Sequence, residues 1–437
     1  MGHILEFLSS ANQFLWGGPL LILLLGTHLY YTIHCRFIQR RIGRAIRLSV
    51  TPDSHSSGGM SAFATLTTTL AATLGTGNIV GVSTAIALGG PGAVFWCWLT
   101  GLLGMATTYA ECYLGVLYRK KQPDGSYLGG PMYALEYGLH SKPLASLYCF
   151  LTLLASYGVG CSTQSKAIAD TANRLFHIPE GVAGLAAALF TGLVILGGIS
   201  SISRICMRLV PAMGALYIGG CVLLLIMNAP WILPALKLII TAAFTPSAAL
   251  GGIAGSTLLL AARYGIARGL FTNEAGLGTA AITAASGHTR PPHDQALISM
   301  SATFWDTVVM CAITGLVIVT GMLRNPSLSE GISAGDYTAA AFSALPVIGP
   351  VILGISIIAF AAATLIGWSY FGDRAVSYLF GGRAIKTFKF WYLFMIFLGS
   401  ILPLTFVWEM TDFINALMVI PNLLALWLLR KKIPRDP

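Results

Sequence analysis

Apolar runs follow one another from Phe14 to Leu429, and each is about the 20 residues that a helix needs to cross a bilayer. Only 10% of the 437 residues are charged and 55% are hydrophobic, whereas a soluble domain carries about 25% charged residues. The short alternating segments of a membrane β-barrel are missing. The chain therefore reads as an all-α polytopic membrane protein embedded in a lipid bilayer.

Eleven transmembrane helices are expected. They run from about Phe14 to Ile33, Ala62 to Leu88, Ala93 to Tyr118, Leu144 to Ala172, Val182 to Ile199, and Leu209 to Met227. The others are about Leu250 to Ala285, Ala296 to Val319, Val347 to Phe371, Phe390 to Leu404, and Phe406 to Leu429. Gly129 to Leu139 and Tyr337 to Leu345 are too short to cross, and Pro230 to Pro246 reads as interfacial.

With this count the basic clusters fall on one side: Arg36 to Arg47, Arg119 to Lys121, Arg204 and Arg208, Arg290, Arg374 to Lys389, and Arg430 to Arg435. The excess of Lys and Arg on cytoplasmic loops puts the N-terminus outside and the C-terminus in the cytoplasm. The net charge of +10 thus marks a membrane face and implies no nucleic acid. None of the eight cysteines forms C-x-x-C, and most lie in apolar runs, where they read as small core residues.

Two of the spans contain stretches that oppose a continuous helix. Gly75-Thr-Gly-Asn-Ile-Val-Gly81 interrupts the second, and Gly269-Leu-Phe-Thr-Asn-Glu-Ala-Gly-Leu-Gly278 interrupts the seventh. Glycine costs a helix interior about 0.8–1 kcal/mol relative to alanine, and Asn and Thr compete for backbone groups. Irregular backbone at membrane depth survives only where it lines a cavity or is buried in protein. A broken helix bares N–H groups that suit an anion and C=O groups that suit a cation. Apart from the first span, the chain divides into two halves of five spans. Each half opens with a broken helix, and an odd number of crossings makes the repeat inverted. The divisions are 1–59, 60–230 and 231–437.

Gly75 to Trp96 resembles the first hallmark of the alanine/glycine:cation symporter family, Phe271 to Gly278 its second, and Gly367-Trp-Ser-Tyr370 is similar to a third. The resemblance covers essentially the whole chain. It implies a LeuT-type 5+5 inverted repeat preceded by one extra helix. It also implies sodium- or proton-driven symport of small neutral amino acids such as alanine and glycine across the cytoplasmic (inner) membrane. No cofactor is expected, sodium being a co-transported ion.

A zwitterion needs one partner for each charge. Amides around Thr76, Gly77 and Asn78 suit its carboxylate, and carbonyls near Phe271 and Thr272 suit its ammonium. Gln164 adds a polar contact, as a Gln in the fourth span does in the family, or makes an interhelical hydrogen bond. Phe271, Trp368, Gly276 and Gly278 are candidate walls, and Asn273 joins the substrate set. Thr73, Asn78, Thr272 and Thr364 offer oxygens for sodium. Thr364 alternatively bonds back to its own helix.

Glu274 has no Lys or Arg within a turn, and Gly75, Glu274 and Gly278 are read as structural or gating residues. Lys166 and Asp170 neutralise each other, and Glu111 pairs with Arg119 and Lys120 near the inner end of its span. Asp306 belongs to a gate or a core network. Arg263 and Arg268 face an outer vestibule or attract the substrate carboxylate.

A channel would need a repeated filter or ring. An enzyme would need a nucleophile–base pair or a metal set, and the histidines are expected in loops or at termini. No phosphate-cradling G-x-x-x-x-G-K-[ST] is present. A carrier of a larger neutral amino acid such as glutamine, or an uncoupled pore, are the alternatives.

Overall fold

The computed structural model describes residues 2–51, 59–122, 125–245, 258–287, 291–326, 332–402 and 404–435. Arg290 and the start of the seventh span, 250–257, lie outside them. Among the described residues the chain is helical but for a two-stranded antiparallel ribbon, β1 (Lys120–Lys121) and β2 (Tyr127–Leu128).

Helices α1 (Gly2–Gly17) and α2 (Pro19–His34) form the first span, followed by α3 (Ile42–Val50). The second span is split into α4 (Ala62–Thr73) and α5 (Val80–Gly89), and α6 (Gly92–Leu117) crosses back. The short α7 (Pro131–Tyr133) precedes α8 (Lys142–Tyr157) and α9 (Thr163–Phe176), which a π turn at Gly158–Ser162 joins into one run. Then come α10 (Glu180–Leu196), α11 (Gly198–Met227) and α12 (Ala229–Phe244).

In the second half α13 (Leu258–Asn273) and α14 (Thr279–Ala285) are the parts of another split span. Next, α15 (Pro292–Thr303) and α16 (Ala312–Arg324) are joined by a π stretch at Phe304–Cys311. The chain ends with α17 (Tyr337–Phe342), α18 (Ile348–Phe380), α19 (Ile385–Ile401) and α20 (Leu404–Leu428). Both non-crossing segments, α7 and α17, are short as expected.

Among the described residues, eight helical runs are long and apolar enough to cross a membrane, and the bent α4–α5 pair makes a ninth. The expected count was eleven. Two features account for the difference. Helix α10 is apolar but only 17 residues long, about 25 Å at 1.5 Å per residue. The α13–α14 span is split, and its approach lies outside the described residues. Large apolar side chains such as Leu193 (80% exposed) and Ile22 (75%) stand on the outside, as lipid contact requires.

Helix α6 sits at the centre. Its Gly101, Gly104 and Gly115 face Thr307, Ala275 and Ala281, while Gly265 and Gly269 of α13 face Ala93, Trp96, Cys97 and Thr100 of α6. A side chain at these glycines would crowd its neighbour, so they set the close approach of α6 to the second broken span and, at Gly101, to the Phe304–Cys311 stretch. All eight cysteines are free and buried. His28 corrects the expectation for histidines: it lies inside α2, fully buried, with Nδ1 2.7 Å from Thr107 Oγ1.

Candidate functional site

Ser61 caps α4 by accepting from Ala64 N (3.1 Å). The helix stops at Thr73, and Gly75 is extended (φ −129°, ψ −161°). One 3-10 turn, Thr76–Asn78, leads into α5, and the two arms differ in direction by 64°. Asn78 closes this break from both ends. Its Oδ1 accepts from Gly75 N (3.0 Å), and its Nδ2 donates to the carbonyl (3.0 Å) and Oδ1 (2.8 Å) of Asp306. The amides of Thr76 and Gly77 have no acceptor among the described residues. They are bare donors at membrane depth.

The second break occupies the later half of the expected Gly269–Gly278 stretch. Helix α13 holds Thr272 and Asn273, and the irregular residues are Glu274 to Gly278. Three of them have positive φ: Glu274 (54°), Gly276 (103°) and Gly278 (81°). Such angles suit glycine and strain a glutamate. Hydrogen bonds hold the strained turn. Glu274 accepts from Thr279 Oγ1 (2.6 Å) and Trp368 Nε1 (3.0 Å). Asn273 Oδ1 accepts from Ala275 N (3.0 Å), and Tyr148 Oη donates to Leu277 O (2.8 Å).

Glu111 Oε1 accepts from both Gly276 N (2.8 Å) and Asn422 Nδ2 (2.6 Å), and Asn422 Nδ2 also donates to Gly276 O (2.8 Å). Glu111 is therefore a clamp on the second break and not the partner of Arg119. That arginine instead donates to the carbonyls of Ala285 (3.3 Å) and Gly287 (3.0 Å). Upstream of the clamp, the carbonyls of Phe271 and Thr272 have no donor among the described residues.

The first break meets the last turn of α13, just ahead of the second. A Cβ on Gly77 would lie 2.8 Å from Thr272 Cγ2 and 3.3 Å from Phe271 Cδ1. A Cβ on Gly75 would lie 2.9 Å from Thr364 Oγ1 and 3.5 Å from Gln164 Oε1. Gln164 follows the π turn in the fourth span, where it accepts from Thr76 Oγ1 (3.3 Å) and donates to Val159 O (3.3 Å). Thus Gly75, Thr76, Gly77, Gln164, Phe271, Thr272 and Thr364 converge, with bare amides on one side and bare carbonyls on the other.

The oxygen candidates divide. Thr73 Oγ1 bonds back to Thr69 O (3.3 Å) and Thr272 Oγ1 to Gly269 O (2.9 Å). Thr364 Oγ1 reaches both Phe360 O (3.1 Å) and, across the break, Leu74 O (3.3 Å). Asp306 is part of a core network. Its carboxylate takes Asn78 Nδ2 and Thr307 Oγ1 (2.7 Å), and Thr307 lies 3.5 Å from the Thr272 hydroxyl. A buried carboxylate with no ion pair among the described residues, next to the hydroxyl oxygens of Thr307 and Thr272, makes this corner attractive to a cation.

Asn273, Gly276 and Trp368 stand away from this meeting point. Gly276 abuts Leu24, Asn273 Nδ2 is near Gly104, and Trp368 packs on Gly160. A cavity of about 370 Å³ has Thr76 and Trp408 at its inner end and Arg174 and Asp336 at its rim, paired at 2.8 Å. Arg263 and Arg268 line a second cavity of about 230 Å³ beside Phe271. Lys166 pairs with Asp170 (2.9 Å) as expected and also with Glu180 (2.8 Å).

Asn422, Leu74, Tyr148 and Trp408 escaped the sequence reading. Of these only Asn422, a polar residue within the apolar last span, carried a signal.

The sequence matches the sodium:alanine symporter family over residues 1–436. It is 40% identical over 432 residues to the sodium/alanine symporter AgcS of Methanococcus maripaludis, covering 97% of this chain and 94% of that one. An uncharacterized transporter of Haemophilus influenzae is 45% identical (98% and 94% covered). A probable sodium/glutamine symporter, GlnT of Bacillus subtilis, is 33% identical (99% and 90%). The fold resembles that of MhsT, solved in complex with L-phenylalanine, with a TM-score of 0.59 at 16% identity (86% and 90%). Two broken helices meeting inside a LeuT-like bundle, and matches that span nearly the whole chain, lead to one assignment: this transporter belongs to the sodium:alanine symporter family.

Proposed function

We propose that the chain couples sodium influx to uptake of a small neutral amino acid such as alanine or glycine. The substrate sits where the breaks meet, its carboxylate on the Thr76 and Gly77 amides and its ammonium on the Phe271 and Thr272 carbonyls. The observation that carries this reading is the contact of Gly77 with Thr272 and Phe271. Sodium takes the corner of Asn78, Asp306 and Thr272, and a second ion takes the Leu74 carbonyl and Thr364. Each bound cation lowers the cost of holding the zwitterion in low dielectric, which is mass-action coupling.

The reading includes eleven crossings in a 5+5 inverted repeat. Its support is the matching order of a broken span, one crossing, a short helix and three crossings in each half. The N-terminus is outside and the C-terminus cytoplasmic. Contacts that gather basic segments at one end support this: Arg44 with Asp294 (3.0 Å), and His34 with Ile433 O (3.1 Å) beside the basic tail. The larger cavity lies at the other end, where α9 stops and α18 starts. Substrate thus enters from outside and the core rocks around it.

A second reading, a larger substrate such as glutamine, draws on that cavity's volume of about 370 Å³. Uptake of radiolabelled alanine, glycine and glutamine into proteoliposomes, with and without a sodium gradient, tests both. Sodium-driven accumulation of alanine and glycine is expected. Accumulation of glutamine alone selects the second reading, and uptake indifferent to the sodium gradient rejects coupling.

A further inference from the structure

The smaller cavity is lined by charges of both signs that do not pair. Arg263 and Arg268 come from α13, and Glu409 and Asp412 from α20. None of the four takes part in an ion pair within 4.0 Å among the described residues. All four are half-buried, so water screens them only in part and leaving them apart is costly.

Helix α1 keeps them apart. Asn12 Nδ2 donates to Glu409 Oε2 (2.7 Å) and Glu409 O (2.8 Å), and Trp16 Nε1 donates to Asp412 O (3.2 Å). These bonds pin α20 to α1. The Asp412 carboxylate and both guanidinium groups are left with no hydrogen bond among the described residues. The result is a polar gap of about 230 Å³ with cations on one wall and anions on the other.

We propose that this cavity is a second binding site for a free zwitterionic α-amino acid. The ligand's carboxylate bridges to Arg268 and Arg263, and its ammonium to Asp412 with Glu409 behind it. Both contacts are charge-assisted, and guanidinium binds carboxylate in bidentate fashion. The cavity supplies full charges of both signs for the ligand, so occupancy needs no sodium.

The site abuts the central one through an aromatic pair. Phe271 and Trp408 stand with centroids 5.3 Å apart at 49°. Phe271 lines the small cavity and Trp408 the large one. The Arg268 guanidinium lies 5.9 Å and 5.6 Å from the two ring centroids. A ligand that draws Arg268 toward its carboxylate loosens this cation–π contact, and Phe271 touches Gly77. Occupancy of the two sites is thereby coupled, and the coupling is reciprocal.

The inference rests on the reading above only for the choice of alanine as probe. The test is equilibrium binding of tritiated alanine to the purified full chain, in sodium and in choline. We expect a component that persists in choline. Arg268→Gln and Asp412→Asn each lose it, and Gln164→Ala keeps it. Wild-type protein that binds no alanine in choline overturns the second site and leaves the central one standing. So does a choline-resistant component that survives both substitutions. A choline-resistant component without any sodium-dependent one supports the second site and removes the central reading.

Discussion

Replacing Gly77 with alanine adds one methyl where the first break touches the last turn of α13, just ahead of the second break. The new Cβ would lie 2.8 Å from Thr272 Cγ2, well inside the 3.4–4 Å of ordinary contact, and 3.3 Å from the Phe271 ring. Thr272 cannot swing away freely, because its hydroxyl donates to Gly269 O at 2.9 Å and a β-branched side chain in a helix is stiff. Overpacking of this kind costs about 1–3 kcal/mol, and parting the breaks relieves it. Parting them also separates the Thr76 and Gly77 amides from the Phe271 and Thr272 carbonyls. Alanine affinity then falls roughly 5- to 150-fold, since about 1.4 kcal/mol is tenfold. Thr272→Ser removes the obstructing methyl and keeps the hydroxyl, so the double variant recovers much of the loss. Sodium-dependent alanine binding to the wild type, both single variants and the double variant completes the cycle. Unchanged affinity in Gly77→Ala, or additive losses in the double variant, would refute the proposed contact.

Glu111→Ala orphans the buried Gly276 N, at about 1–3 kcal/mol, and leaves Asn422 Nδ2 only its bond to Gly276 O, so a lower thermal midpoint in detergent is expected. Glu111→Gln keeps a carbonyl acceptor there and retains most of the stability; equal losses in the two variants would assign the role to charge and not to the hydrogen bonds. Thr364→Val keeps the shape and removes the hydroxyl that reaches Leu74 O, so half-maximal uptake needs about 5- to 30-fold more sodium, as for losing about 1–2 kcal/mol. A sodium titration identical to wild type would exclude Thr364 from the ion site.

The first break was legible because its causes are local. Three glycines and Asn78 oppose a helix wherever the chain goes, and Asn78 Oδ1 caps Gly75 only three residues away. The second break was located only to a ten-residue stretch, of which the last five residues are irregular. Its position is set by positive φ at Glu274, Gly276 and Gly278, and a glutamate in that region is not something composition announces. Lys166–Asp170 was readable as an i, i+4 pair, but Glu180 arrives from the next helix. Glu111 was misread for the opposite reason. Arg119 is near it in sequence, while its partner Asn422 is 311 residues away. Local spacing reveals where a helix fails, and only tertiary structure shows which distant side chain holds the failed turn. The same limit sent Trp368 to the pocket wall, whereas its indole donates to Glu274 in the second break itself.

The most direct measurement is an experimental structure of the protein with alanine and sodium bound. Alanine is expected between the two interruptions, its carboxylate on the amides of Thr76 and Gly77 and its ammonium on the carbonyls of Phe271 and Thr272. Alanine found away from that meeting point, near Asn273 and Trp368, or both spans running as continuous helices, would contradict the account.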